Sequence, residues 1–232
     1  MADKNDERIR VWDLPVRLFH WILVALMVVS YVTGQLGGDW MKFHFWSGYT
    51  ILTLIIFRIA WGFVGSTTAR FSNFIKGPGA FFGHLKEMLG KEGPREVGHN
   101  PVGGAMVVAL LLAVLLQAAT GLFSADTDEG TVYGPLAVKS ADKTVETMTA
   151  FHHFWINVIL VMVALHVLAA LAYLVWKRQN LIGAMLTGRK PRDYVVAKGE
   201  PVPTITFGSG RLAISLFVVA AAIVYFIVRL GG

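Results

Sequence analysis

Five runs of this sequence are too long and too apolar to be accommodated by an ordinary water-soluble domain. They cover Leu18–Leu36, Phe43–Val64, Pro101–Phe123, Phe151–Trp176 and Leu212–Val228. About 20 apolar residues in a helix span the roughly 30 Å of bilayer hydrocarbon. Each run must be helical, because lipid offers the backbone no hydrogen-bond partner. Charged residues make up 16% of the chain, against about a quarter in a soluble domain. An ordinary soluble enzyme is thereby excluded, and so is a β-barrel, whose short strands alternate polar and apolar residues. The expected fold class is an all-α membrane protein: a four-helix transmembrane bundle with a fifth C-terminal transmembrane helix. Residues 1–190 read as the core and 191–232 as a linker with the additional helix.

Lys and Arg counts give the expected orientation. With the N-terminus in the cytoplasm, the inner segments hold sixteen Lys and Arg and the outer loops only Lys42, Lys139 and Lys143. That asymmetry predicts an N-in multi-pass protein of a bacterial cytoplasmic (inner) membrane. The net charge of +6 then reads as basic loops at the anionic leaflet, with membrane lipid and no nucleic acid as partner. Asp3, Asp6 and Glu7 interrupt any signal-peptide n-region. Phe71–Leu89 mixes Phe and Leu with Lys and predicts an interfacial helix, and Asn180–Gly210 reads as a Pro- and Gly-punctuated linker. The tryptophans read as an aromatic belt, and His84 and His99 as solvated or interfacial loop residues.

The absence of cysteine rules out thiolate-held iron–sulfur clusters, disulfides, CxxCH haem attachment and a thiol nucleophile. Histidines within the spans are the remaining chemistry, and ionisable groups at that depth are functional candidates by default. His20 lies near the inner end of the first span and His44 near the outer start of the second. His152 and His166 lie on the fourth. Their 14-residue interval turns about 1400°, close to four full turns, so both project from nearly one face, whereas His153 is rotated about 100° away. Antiparallel neighbours bring His20 to the depth of His166 and His44 to that of His152. Two His–His pairs in a helical bundle suit two planar metallo-macrocycles, which implies two b-type haems, metal-ligated by His20, His44, His152 and His166. Gly34 and Gly48 leave space on the histidine faces for a ring system. Arg58 either pairs with a haem propionate or snorkels to the headgroups. A proton relay would ordinarily recruit Asp or Glu, and the first four spans hold none between their ends.

Several segments resemble the bacterial and nickel-hydrogenase-type cytochrome b561 family. They are RVWDLPVRLFHW (Arg10–Trp21), the HxxxGY of His44–Tyr49, FRIAWGFVGSTTARF (Phe57–Phe71), GHNPVGGAMVVALLLAVLLQAATGLF (Gly98–Phe123) and ALHVLAALAY…NLIGAMLTGRK (Ala164–Lys190). The resemblance covers nearly all of residues 10–190. It implies a four-helix core with two haems b, the inner held by His20 and His166 and the outer by His44 and His152. Members often read His-Glu where this chain reads His152-His153. The family also implies electron transfer between quinone and a redox partner, often a c-type cytochrome or a hydrogenase. The expected function is therefore a transmembrane electron carrier between the quinone pool and a periplasmic partner such as a c-type cytochrome. Asp126, Asp128, Glu129, Asp142 and Glu146, against Lys139 and Lys143, give the loop 124–150 an acidic balance suited to a basic cytochrome. Two alternatives share the chemistry: a membrane-anchor cytochrome b of a nickel-hydrogenase or dehydrogenase complex, and a superoxide:quinone oxidoreductase.

Overall fold

A computed structural model of the chain describes residues 8–88, 95–126 and 132–231. Among the sequence features above, Asp3, Asp6, Glu7, Leu89, Asp128, Glu129 and two of the sixteen inner Lys and Arg (Lys4 and Lys91) lie outside those residues. The described elements in chain order are strand β1 (Arg8–Arg10) and helices α1 (Leu14–Leu36), α2 (Met41–Val64), α3 (Phe71–Phe74), α4 (Pro78–Met88) and α5 (Pro101–Gly121). Strands β2 (Ala125–Asp126) and β3 (Val132–Tyr133) come next, then α6 (Asp142–Val175), α7 (Leu181–Thr187), β4 (Arg189–Pro191) and α8 (Gly210–Gly231).

Helices α1, α2, α5, α6 and α8 are long and apolar enough to cross a membrane. Large apolar side chains stand exposed along them, among them Val28 at 59%, Leu168 at 61% and Ile214 at 67%. Leaving each such side chain in water forgoes about 1.5–3 kcal/mol, a sum no marginally stable fold tolerates. Lipid is the solvent of these faces, and the molecule is an all-α membrane protein.

The chain divides into two compact units. The first comprises the described residues of Met1–Leu18, Ala60–Ala109 and Val163–Ala213. Its framework is the antiparallel pair β1–β4, with Ile9 opposite Lys190 and Arg10 opposite Arg189. Beside that pair the amides of Val11 and Trp12 both donate to the Gly188 carbonyl, at 2.8 and 3.1 Å. Asp13, 2% exposed, starts α1: its Oδ1 accepts from the Val16 amide at 2.7 Å and its Oδ2 from the Trp61 indole at 3.0 Å. The Lys190 ammonium is buried, donates to the Glu96 and Gly98 carbonyls at 3.1 Å each, and faces the Trp12 ring at 5.7 Å. Burial pushes its pKa down from the usual 10.5 to about 8, with the Glu96 carboxylate opposing the shift.

Several expectations change here. The stretch after Asn180 is more than a linker. The Asn180 side chain caps α7 by accepting the Gly183 amide at 2.6 Å, Gly188 ends the helix with φ +79°, and β4 follows. Those turn-type residues, read as breakers, are a helix cap and stop. The expected interfacial helix is broken into α3 and α4, with Pro78 opening the second as a first-turn proline. Trp12 and Trp61 are 5% and 0% exposed and so do not belong to an aromatic belt, unlike Trp46 and Trp176 at 75% and 78%. His84 is buried rather than solvated, and the partly buried His99 packs between Trp12 and Phe74 at 4.6 and 4.9 Å.

The second unit comprises Phe19–Ile59, Leu110–Met162 and the described residues of Ile214–Gly232. Leu52 of α2, Leu122 just past α5 and Val224 of α8 form a buried cluster here, with Tyr49, Ile56, Leu115 and Ile227 packed on it. Strands β2 and β3 pair after α5. Helix α6 starts at Asp142, nine residues before the apolar run beginning at Phe151. Asp142 and Glu146 of the expected acidic loop therefore stand on helix. A polar helical extension carries no hydropathy signal.

Candidate cofactor site

Helices α2 and α6 each bring one imidazole to a cavity of about 670 Å³ in the second unit. The His44 and His152 ring centroids are 6.2 Å apart and their planes cross at 82°. Both rings are half-buried, and each is anchored from behind. His44 Nδ1 lies 2.8 Å from the Ser30 carbonyl of α1, and His152 Nδ1 lies 2.9 Å from the Gln117 carbonyl of α5. A carbonyl only accepts, so each Nδ1 carries the proton and donates. The lone pair is then on Nε2 of both rings, the form in which imidazole ligates a metal.

The surrounding glycines make the arrangement possible. A Cβ on Gly34 would lie 2.8 Å from His44 Nδ1, and one on Gly121 would lie 2.9 Å from His152 Cε1. Either is closer than real Cβ atoms come. A Cβ on Gly48 would meet nothing within 4 Å, so that position opens onto the cavity it lines. Two metal–nitrogen bonds of about 2 Å and two ring half-widths of about 1 Å make about 6 Å, close to the 6.2 Å observed. The pair thus fits one iron between two imidazoles, and the cavity volume lies within the range of cofactor sites.

The remaining predicted residues sit as follows. His153 is exposed at the rim of the same cavity, its ring centroid 6.3 Å from that of His152. His20, in the second unit, is half-buried and packs edge-on against Trp21 at 4.9 Å. Arg58, also in the second unit, is 2% exposed, enclosed by protein rather than reaching for headgroups. His166, in the first unit, is half-buried on α6. The 14-residue interval from His152 to His166 lies within one uninterrupted helix. Ser30 and Gln117 escaped sequence reading because they contribute backbone oxygens, which have no residue signature. Thr120 escaped too; its Oγ1 lies 3.2 Å from His152 Nδ1.

The family model described as prokaryotic cytochrome b561 matches residues 11–188. A Rhizobium leguminosarum bv. viciae protein named as a probable Ni/Fe-hydrogenase B-type cytochrome subunit is 27% identical over 222 residues, covering 82% of this chain and 92% of its own. One of the same name from Bradyrhizobium diazoefficiens is 28% identical over 229 residues, 82% and 91% of the two chains. A probable Ni/Fe-hydrogenase 1 B-type cytochrome subunit of Escherichia coli (strain K12) is 27% identical over 147 residues, 52% and 63%. No solved structure matches the chain. The family match runs from the residue after β1 to the Gly188 that caps α7, through every helix that carries a candidate histidine, and on that match this chain belongs to the prokaryotic cytochrome b561 family.

Proposed function

We propose that this chain is the membrane-embedded cytochrome b subunit of a nickel-hydrogenase-type complex, taking electrons from an iron–sulfur partner and passing them to quinone. The observation that carries it is the His44–His152 pair, two Nδ1-protonated rings facing one cavity. Relatives named as hydrogenase subunits, matched over 82% of the chain, favour this partner over a c-type cytochrome. When bound, haem b supplies reversible one-electron chemistry at iron, and ligation by two histidines favours electron transfer over oxygen binding. The chain's own part is to present the two Nε2 atoms and fix both tautomers. His44 and His152 are assigned to one haem. His20 and His166 are assigned to a second on the helix spacing and family resemblance, with Arg58 as its propionate partner. The sixteen-to-three distribution of Lys and Arg supports an N-in orientation in the bacterial inner membrane.

The test is a reduced-minus-oxidised spectrum with haem counted per purified chain. Two haems are expected. His44→Ala and His152→Ala lose the same one, and His20→Ala and His166→Ala the other. A colourless protein after expression with ample haem refutes the reading. Purification from native membranes should bring hydrogenase subunits with it; a c-type cytochrome in their place would restore the quinone-to-cytochrome alternative.

A further inference from the structure

Helices α1 and α5 carry the same local device. Helix α1 reads Ser30-Tyr31-Val32-Thr33-Gly34 and α5 reads Gln117-Ala118-Ala119-Thr120-Gly121. In each, the first residue's carbonyl accepts an imidazole Nδ1–H, at 2.8 Å for His44 and 2.9 Å for His152. Four residues on, a glycine lies so close to that imidazole that a Cβ would collide with it, at 2.8 and 2.9 Å. Between them a threonine, 5% exposed in both helices, turns its hydroxyl back along the helix. Thr33 Oγ1 donates to the Val29 and Ser30 carbonyls at 2.7 and 3.3 Å, and Thr120 Oγ1 to the Leu116 and Gln117 carbonyls at 2.9 and 3.0 Å.

The coincidence has a steric cause. In an α-helix the carbonyl of residue i pairs with the N–H of residue i+4, here Gly34 and Gly121. A side chain at i+4 sits on the same face, over the approach to that carbonyl. An imidazole from another helix reaches the oxygen only where i+4 lacks a Cβ. The threonine spends its hydroxyl on helix carbonyls, so it stays inside without leaving a polar group unsatisfied.

We propose that Ser30–Gly34 and Gln117–Gly121 are a matched pair of imidazole cradles, in which the first residue's carbonyl sets the tautomer of His44 or His152 and the glycine admits the ring, with Thr120 a second acceptor for His152. The inference rests on the proposed haem at that pair and adds that the site is built twice on one plan. Helix α1 carries the ring of α2, and α5 carries the ring of α6. Each cradle fixes its own ring, so the 82° crossing of the two planes is a property of the protein and persists in the ligated state. Crossed imidazole planes on ferric low-spin haem give a widely split EPR spectrum, distinct from that of parallel planes.

The experiment uses the full haem-loaded chain and reads haem per chain, the ferric EPR spectrum and midpoint potentials by optical redox titration. Gly34→Ala and Gly121→Ala are expected to act alike: each loses the same haem and, with it, the crossed-plane signal. Thr120→Val should keep both haems yet raise the potential of that one haem and alter its EPR signal, because His152 Nδ1–H loses its second acceptor at 3.2 Å. Thr120→Ser, which restores the hydroxyl, should return both to wild type. Should the glycine variants fail to accumulate, the Thr120→Val and Thr120→Ser pair decides alone. Full haem content and unchanged spectra in the glycine variants would overturn the cradles, as would a loss confined to one glycine or an indifferent Thr120→Val. A wild-type chain without haem instead overturns the proposed function itself, so the two failures are distinguishable.

Discussion

His152 and His153 are adjacent in sequence and opposite in circumstance. His152 is held by the Gln117 carbonyl with its ring toward His44, while His153 is exposed at the cavity rim. His153→Ala should therefore leave haem content at the wild-type value where His152→Ala loses one haem, a contrast a pyridine haemochrome assay measures directly. At the start of α1, Asp13→Ala removes a helix cap of about 1 kcal/mol and the acceptor of the buried Trp61 indole, about 1 kcal/mol more. Its melting temperature in detergent should fall, and Asp13→Asn, which keeps an acceptor oxygen, should recover part of the loss. Of these residues, the histidines stood out in the sequence because apolar surroundings make an ionisable side chain conspicuous. Ser30 and Gln117 did not, because what they offer is a main-chain oxygen. Trp12 and Trp61 misled, since an indole near a span end looks the same whether it faces headgroups or, as here, the protein interior.

Among elements, the pairing of β1 with β4 places Lys190 where its titration can be read. Its pKa of about 8, against 10.5 when free in water, means that the unfolded chain binds this proton more tightly than the folded chain. On this residue's account stability is lowest below about pH 8, rises as pH climbs, and levels off above about 10.5. Melting curves of wild type and Lys190→Met should therefore diverge with increasing pH, wild type gaining relative to the variant. At every pH the variant leaves the Glu96 and Gly98 carbonyls without this donor, a cost of about 1–3 kcal/mol. The five apolar runs correspond to α1, α2, α5, α6 and α8 because long hydrophobicity is a direct signal of a span. Element ends were less legible. Asp13 and Asn180 act as caps through contacts that hydropathy averages away, and Asp142 opens a nine-residue extension of α6 that carries no apolar run.

For the molecule as a whole, the proposed N-in orientation is testable with little interference, because the chain has no cysteine. Val138, 66% exposed, and Lys198, also exposed, mark opposite sides in that scheme. A membrane-impermeant maleimide applied to intact spheroplasts should label Val138→Cys and spare Lys198→Cys; the reverse pattern would invert the topology. The contact of Val11 and Trp12 with Gly188 has a wider meaning. The first and last residues of the family-matched segment meet at one carbonyl oxygen, so that stretch of polypeptide is a closed circuit with a clasp at its ends. A permuted version of that stretch, joined at the clasp and reopened elsewhere, would retain the circuit's connectivity.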